Sequence, residues 1–315
     1  MRRRRFLGAL GAGLAAAAAP RWLSGSAVSS ADAGSLVERW SWAMGQPVRL
    51  QLYAASESAG YAAAQAALAE LRRVESILSR FDEASDLSEL NRRAGRGPVA
   101  VAPDLLAVLT AAVEFRRSTG GAFDVAIEPL MRAWGFHAPR SAEPTVAELA
   151  GARAAVRAAT LAVDGGRVAL GGATAGLDLG GIGVGYGLDR AVEVLRRSGI
   201  RRALLDVSGD CVALGAPPDE SGWLVEMADP ERPGEVIGST RLRDAALATS
   251  SNLTSVIRYG RAVRGQVIDP ASGYPAARCR QVTVVALTGV QADALSTAML
   301  ISPARPRGVL RSWVV

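Results

Sequence analysis

Apolar and polar residues alternate along this chain in two rhythms, which together predict a mixture of strands and helices. A two-residue alternation over residues 48–53 predicts a half-buried strand. Apolar residues spaced three and four apart predict helices over residues 62–78, from Pro103 onward and over residues 291–300. Further strands are predicted at residues 203–207, 223–227, 239–242 and 281–287, together with a hairpin over residues 161–170 that turns at Asp164-Gly165-Gly166.

Two pairs of residues have the spacing of a capping box, in which the first residue of the pair and a Glu three positions later bond each other's backbone. Asp86 with Glu89 predicts the start of a short helix, and Thr145 with Glu148 predicts another helix start. Residues 248–252 are small and mostly polar, so they are predicted to form a loop.

The order of these elements bears on the fold class. No internal repeat is evident, and no Pro- or Ser-rich linker divides the chain. Helices and strands are intermixed without a strict β-α-β order, which predicts an α+β fold in one compact domain. With 315 residues, 49% hydrophobic and 21% charged, the chain is long enough to bury one large core or two modest ones.

The N-terminus predicts a twin-arginine-type export signal over residues 1–33. Arg3-Arg4-x-Phe6-Leu7 resembles the twin-arginine motif, and Ala31-Asp32-Ala33 has the pattern of a cleavage site. The apolar run between them is roughly 13 residues long, whereas a membrane helix needs ~20. We therefore expect a periplasmic or otherwise extracytoplasmic protein with no stable membrane span after signal removal; a retained N-terminal anchor is the alternative.

Charge and residue counts exclude several classes of function. Five arginines and one aspartate fall in residues 1–33, so +4 of the formal net charge of +6 belongs to that segment. The rest of the chain lacks the charge of a nucleic-acid surface.

His137 is the only histidine, which argues against a His-ligated zinc or iron site and a Ser-His-Asp triad; we interpret it as a loop residue without a catalytic role. Cys211 and Cys279 are predicted to be separate buried thiols, although their pairing stays open.

A glycine-rich run dominates the middle of the chain. Six glycines fall between Gly176 and Gly187, and an apolar helical stripe follows them, with Gly199 placed to end the helix. Such a run either lets the backbone pass close to a ligand, with φ > 0 available, or makes a tight packing turn against a sheet. It lacks the G-x-G-x-x-G pattern, and a chain without lysine has no Walker P-loop.

Two other segments suggest chemistry, each with a structural alternative. Asp124 follows Gly120-Gly121, and the aromatic residues of Trp134-Gly135-Phe136 either wall a planar ligand or belong to the core. Asp293 and Thr297 are one helical turn apart, so with a glycine-loop carbonyl they form an oxygen set suited to Mg²⁺. Alternatively, Asp293 caps its helix and Thr297 bonds back to it.

Taken together, these segments resemble the ApbE-type FAD:protein FMN transferases over about residues 44–299. Each motif alone is weak, but their ordered succession is specific. The shared motifs are Met44-Gly45; Ser79-Arg80-Phe81-Asp82 with Ser88-Glu89-Leu90-Asn91; Gly120-Gly121-Ala122-Phe123-Asp124 with Pro129-Leu130 and Trp134-Gly135-Phe136; Asp178-Leu179-Gly180-Gly181-Ile182; Ala248-Thr249-Ser250; Ile268-Asp269-Pro270 with Gly273 and Pro275; and Ala292-Asp293 with Ser296-Thr297. The resemblance implies one ApbE-like domain over residues 34–315, built of mixed, largely antiparallel sheets with flanking helices.

The resemblance also implies an activity and its residues. Members of the family transfer FMN from FAD to a Thr or Ser hydroxyl of an exported acceptor flavoprotein, with Mg²⁺ and with release of AMP, and some hydrolyse FAD instead. Carried over by position, the metal ligands are the Gly181 carbonyl, Asp293 and Thr297. The implied FAD contacts are Met44, Phe81, Ala122, Phe123, Asp124, Asp178, Val184 and Ile268.

The chain departs from the family at the reactive end. Gln266 stands where the family has a histidine, and glutamine cannot accept a proton at neutral pH. Val184 replaces the usual lysine, and residues 206–210 replace Asn-Val-Gly-Gly-Asp with Asp-Val-Ser-Gly-Asp. The catalytic candidates are therefore Gln266 by position and Asp269 as a substitute base. The alternatives are a catalytically impaired FAD-binding protein, an FAD pyrophosphatase, or an exported binding module unrelated to flavin; the acceptor and the oligomeric state stay open.

Overall fold

The structure is a computed structural model that describes residues 34–232 and 234–315. The predicted export signal lies outside the described residues. The strands are β1 Ser35–Ala43, β2 Gln46–Ala54, β3 Val99–Ala100, β4 Thr160–Asp164, β5 Arg167–Gly171, β6 Arg202–Val207, β7 Asp210–Leu214, β8 Trp223–Ala228, β9 Val236–Leu242, β10 Ala245–Ser251, β11 Val256–Tyr259, β12 Ala262–Gly265, β13 Gln281–Ala286 and β14 Arg311–Val314. The helices are α1 Glu57–Leu78, α2 Asp86–Arg92, α3 Pro103–Ser118, α4 Glu128–Ala133, α5 Val146–Ala158, α6 Gly183–Arg197 and α7 Gly289–Ile301, with a short 3-10 helix at Val125–Ile127 before α4.

A seven-stranded sheet in the order β1-β2-β6-β7-β10-β13-β14 forms the centre of the molecule. Every neighbouring pair in it is antiparallel. Smaller sheets are formed by β3-β5-β4, by β8-β9 and by β11-β12. The predicted α+β class, with largely antiparallel sheets and flanking helices, is confirmed.

The two faces of the large sheet are covered differently. Helices α1, α6 and α7 lie on one face, where Leu50 of β2 packs with Leu71 of α1 and Leu195 of α6. The β8–β9 hairpin covers part of the other face, where Trp223 and Met227 pack with buried residues of the central strands. Because the three helices and the central strands share one core, the loops that leave them are held at fixed positions around one end of the sheet.

The predicted strands and helices are confirmed, apart from the segment at residues 248–252 described below. The sequence did not predict β1, β3, β7, β11, β12, β14 or α4. The cysteines are free and buried, as expected. In the described part of the chain, no helix has both the length and the apolar character needed to cross a bilayer. The Thr145 capping box is complete at the start of α5. At α2 the predicted box is wrong by one residue: Ser85 caps the helix by accepting from the Ser88 N–H, and Asp86 accepts from the Ala102 N–H instead.

The loop predicted at residues 248–252 is wrong, because most of that segment belongs to the central strand β10. Ala248 is 2% exposed, and Thr249 lies opposite Thr283 of β13 with their hydroxyls 2.9 Å apart. The Ser250 hydroxyl lies 2.8 Å from the Ser296 hydroxyl of α7. The small side chains therefore serve a close contact between strand and helix rather than a turn.

The glycine run divides between a loop and a helix. Helix α6 begins at Gly183, so the second half of the run is helical, and none of its six glycines has a positive φ. A Cβ atom added to Gly185 would lie 2.2 Å from the carbonyl oxygen of Gly289 in α7. The run therefore serves close helix–helix packing on this side, and Gly199 ends α6 with φ of 79°, as predicted.

Candidate functional site

A cavity of about 890 Å³ opens where several chain segments meet at one end of the large sheet. Its walls include the β1–β2 turn, the β6–β7 turn and the end of β10, together with the start of α6 and one side of α7 from Asp293 to Ile301. A cavity of this size accommodates a large organic ligand. The same end of the sheet gathers most of the residues that the sequence singled out.

All eleven predicted flavin and metal residues line this cavity. They are Met44, Phe81, Ala122, Phe123, Asp124, Asp178, Gly181, Val184, Ile268, Asp293 and Thr297. Gln266 also lines it, whereas Asp269 does not. The Asp269 carboxylate accepts hydrogen bonds from the backbone N–H groups of Ala271 and Ser272, so it stabilises its own turn.

The predicted metal ligands come together around the first half of α7. The Asp293 side chain is buried and accepts from the Gly185 N–H over 3.0 Å. The Thr297 hydroxyl lies 3.1 Å from the Ser250 hydroxyl, and a Cβ added to Gly181 would lie 2.9 Å from it. The backbone at Gly181 therefore approaches the Thr297 hydroxyl closely, which a side chain at position 181 would hinder.

The electrostatics of this corner fit a divalent cation. Burial raises the pKa of Asp293 well above its ordinary value, and the charge of nearby Asp210 raises it further. No basic side chain among the described residues offsets these two carboxylates. No group of three or more His, Cys, Asp or Glu suited to a metal occurs in the described residues, so this donor set is one of mixed oxygens, which suits Mg²⁺.

Asp210 is a cavity residue that the sequence did not single out as a candidate. It begins β7 directly after the Ser208-Gly209 turn, both of whose residues have positive φ. One carboxylate oxygen accepts from the Thr249 N–H over 2.9 Å. Burial, together with the charge of Asp206, raises the pKa of Asp210 to about 7. In the sequence, Asp210 could have been identified from the altered motif at residues 206–210.

His137 is in a loop, as predicted, but it belongs to the cavity wall. Its Nε2 lies 2.8 Å from Oδ2 of Asp178, and its Nδ1 lies 3.5 Å from Oε1 of Glu128. Arg80 approaches the same two carboxylates at 3.7 and 3.8 Å. The side chain of His137 is 6% exposed, so this network is enclosed by protein.

The titration of this network follows from burial and from its charges. Burial acts to lower the pKa of His137, but the carboxylates of Asp178 and Glu128 outweigh it and raise that pKa. Burial acts to raise the pKa of Asp178, but the bond from His137 and the charge of Arg80 lower it. The pair is therefore ionic over an extended pH range.

Aromatic residues line one part of the cavity and fill the core beside it. Phe81 is 80% exposed and stands at the cavity, with the Arg80 guanidinium 5.0 Å from its ring centre. Phe136 lines the cavity, whereas Trp134 is buried in the core and donates to the Gly273 carbonyl. Both interpretations of Trp134-Gly135-Phe136 thus hold, for different residues.

Val184 and Gln266 keep their places on the wall with altered chemistry. Val184 packs into the core beneath the large sheet, so this position supplies no positive charge. Gln266 is exposed to the cavity and offers only an amide. Neither side chain can donate or remove a proton as a lysine or histidine would.

Comparison with known proteins gives a consistent result. A sequence model of the ApbE family matches residues 44–310. Proteins named FAD:protein FMN transferase are similar to this chain: one from Treponema pallidum is 29% identical over 279 residues, which cover 82% of this chain and 76% of the relative, and one from Vibrio cholerae is 27% identical over 235 residues, which cover 73% and 70%. A crystal structure of an ApbE protein from Thermotoga maritima matches with a TM-score of 0.82 and 26% identity, covering 89% of this chain and 94% of the other.

Proposed function

Because the chain belongs to the ApbE family, we propose that it transfers FMN from FAD to a Thr or Ser hydroxyl of an exported acceptor flavoprotein, using Mg²⁺ and releasing AMP. The observation that carries this proposal is that the eleven flavin and metal residues chosen from separate sequence motifs line one cavity. Relatives from several species named FAD:protein FMN transferase support the assignment of a flavin-transferring enzyme.

The residues around α7 fit the cation that such a reaction needs. The Gly181 carbonyl, Asp293 and Thr297 would hold Mg²⁺, which when bound neutralises the pyrophosphate and orients it. Among residues 34–232 and 234–315, no basic side chain lies beside Asp293, which leaves this neutralisation to the cation. Arg80 and His137 are the cationic side chains on the cavity wall among the described residues, and both are tied to Asp178.

The reaction is a displacement at phosphorus. The oxygen of the acceptor hydroxyl bonds to the phosphorus on the riboflavin side of FAD. The bond from that phosphorus to the bridging oxygen breaks, and AMP leaves with the electron pair. A group on the protein must take the hydroxyl proton.

Incubation of the purified protein with FAD, Mg²⁺ and an acceptor domain bearing a Thr-containing target motif tests the proposal. In-gel fluorescence follows flavin on the acceptor, and chromatography follows FAD, FMN and AMP. Labelled acceptor with equimolar AMP supports transfer. Protein that neither binds nor consumes FAD would overturn the proposal.

Gln266 and Val184 favour a second candidate, a flavin-holding protein or an FAD pyrophosphatase. The same incubation separates them. FMN and AMP without labelled acceptor indicate hydrolysis, and bound but unchanged FAD indicates a binding protein.

We also propose that the protein acts outside the cytoplasm, on the basis of the twin-arginine pattern at residues 1–33. Fractionation of cells that produce the wild type and the Arg3→Lys, Arg4→Lys double variant tests this. The wild type is expected outside the cytoplasm and the double variant inside it; equal distribution contradicts the proposal.

A further inference from the structure

A hydroxyl transfer needs a proton acceptor, and the position that the family uses holds Gln266. This inference rests on the proposed function and asks which side chain takes the proton instead. Six side chains on the cavity wall have a carboxylate or an imidazole: Glu75, Asp124, His137, Asp178, Asp210 and Asp293. Their partners distinguish them.

Two of the six have both oxygens occupied by fixed donors. The Glu75 oxygens each accept from a backbone N–H over 2.9 Å, from Met44 and from Gly45. Asp124 accepts from the Ala126 N–H and forms an ion pair with Arg116 over 3.0 Å. Both oxygens of each carboxylate are therefore already engaged, so neither carboxylate has an oxygen free to meet an acceptor hydroxyl.

Two more of the six side chains, Asp178 and His137, form an ion pair with each other. Oδ1 of Asp178 accepts from the Gly180 N–H, and Oδ2 bonds Nε2 of His137. The carboxylates around His137 favour its protonated form, which has no free lone pair to accept a proton. This pair is therefore better suited to hold its part of the wall than to remove a proton from an acceptor.

Asp293 and Asp210 remain as candidates, and their positions indicate different roles. Asp293 shares a helical face with Thr297 and belongs to the cation site. Asp210 is not part of that donor set, yet the two are joined through β10: the Thr249 N–H bonds Asp210, and the Ser250 hydroxyl bonds Thr297. Asp210 thus stands beside the place where the pyrophosphate must lie.

The β6–β7 turn holds the Asp210 carboxylate in position. The two residues of the turn have φ of 51° and 102°, and Val207 and Asp210 pair directly across it. The only hydrogen bond formed by the Asp210 carboxylate among the described residues is that from Thr249, and no ion pair engages it there. The Asp210 carboxylate is therefore held in a fixed position, and one of its oxygens has no hydrogen-bond partner among the described residues.

We propose that Asp210 is the proton acceptor of the transfer reaction. As the acceptor hydroxyl oxygen bonds to the phosphorus, the O–H bond breaks and its proton passes to the Asp210 carboxylate. The bridging P–O bond breaks in the same step, AMP leaves with that electron pair, and the proton later passes to water. Oδ1 of Asp210 accepts from the Thr249 N–H, which leaves Oδ2 to receive the proton.

The test compares Asp210→Asn with Asp244→Asn, a matched control in the turn before β10. Asp244 accepts from the Gly215 N–H and does not line the cavity. Single-turnover transfer is measured at saturating FAD and Mg²⁺, and FAD affinity is measured separately by fluorescence quenching. We expect Asp210→Asn to slow transfer by about 100- to 10,000-fold, with FAD affinity within about threefold of wild type. Asp244→Asn should leave both values within about threefold.

A second variant covers the case in which Asp210→Asn loses FAD affinity. Asp210→Gly leaves space for formate, so added formate should restore transfer in this variant and not in wild type. Failure of rescue, or an Asp210→Asn rate above one tenth of the wild-type rate, overturns the assignment while transfer itself stands. Wild-type protein that binds FAD but forms no product overturns the proposed function and this inference together.

Discussion

His137 and Asp178 are 41 positions apart in sequence and form a buried pair with 2.8 Å between Nε2 and Oδ2. The histidine follows the Trp-Gly-Phe motif and the carboxylate begins the Asp-Leu-Gly-Gly-Ile motif. The pair therefore fixes two segments of the cavity wall against each other. Its stability should report directly on that part of the site.

The pair makes stability depend on pH. The pKa of His137 is raised above 6.5, so its contribution is complete below that pH and is lost as the pH rises through the raised pKa. The pKa of Asp178 is lowered below 3.8, so its contribution is present above pH 3.8 and is lost as the pH falls through the lowered pKa. We expect His137→Gln to lower the free energy of unfolding by about 1–3 kcal/mol at pH 6, and by less at pH 9. Urea unfolding of both proteins measures this; an equal difference at the two pH values contradicts it.

Asp293 should be required for stabilisation by Mg²⁺ and should not be required for folding. Because its buried charge has no basic partner, Asp293→Asn should be no less stable than wild type in EDTA at pH 8. Millimolar Mg²⁺ should raise the melting temperature of the wild type and leave that of the variant unchanged. Thr297→Ser keeps a hydroxyl donor and serves as the control that retains the shift. A variant that responds to Mg²⁺ as the wild type does would place the cation elsewhere.

A histidine at position 266 should restore a proton acceptor to a protein that lacks Asp210. Gln266 lines the cavity and is exposed to it, so an imidazole there has access to the ligand. We expect Asp210→Asn with Gln266→His to transfer FMN at least about tenfold faster than Asp210→Asn alone. Gln266→Asn in the same background should give no gain. Single-turnover assays measure all three; equal rates for the two double variants argue against this prediction.

The contact between α6 and α7 should tolerate no side chain at position 185. A Cβ there would lie 2.2 Å from the Gly289 carbonyl oxygen, so Gly185→Ala must push the helices apart. We expect a loss of about 1–3 kcal/mol in unfolding free energy and weaker Mg²⁺ binding, because Asp293 accepts from the Gly185 N–H. Gly151→Ala in α5 is the control. It meets no atom within 4 Å and should be neutral or stabilising by up to about 1 kcal/mol. Similar losses in both variants would mean that the helical glycines matter only through backbone entropy.

The sequence predicted those elements whose burial follows a local period. Helices α1 and α6 and strand β2 carry apolar residues on one side, so their positions could be identified without tertiary information. Strand β10 could not, because its small residues match the closeness of α7, and no local pattern records how near a helix lies. Ser85 rather than Asp86 caps α2 for a similar reason, since Asp86 is used by the distant Ala102 N–H.

The candidate site was predictable as a set of residues but not as an arrangement. The ordered motifs identified the cation and flavin positions, and the structure brings them to one cavity. The motifs carried no information about the contact between His137 and Asp178, which depends on the path of two loops. The altered motif at residues 206–210 included Asp210, but the lack of a basic partner for Asp210 among the described residues is visible only when its neighbours in space are known.

Asp210 and Asp293, which no basic side chain among the described residues offsets, also bear on the order in which ligands bind. A pyrophosphate that entered this end of the cavity first would bring further negative charge to two acidic side chains whose ionisation burial already opposes. Entry becomes favourable only once a cation is seated or arrives with the ligand. We therefore expect the divalent cation to bind before the flavin ligand or together with it. The free concentration of divalent cations would then decide whether the protein binds flavin.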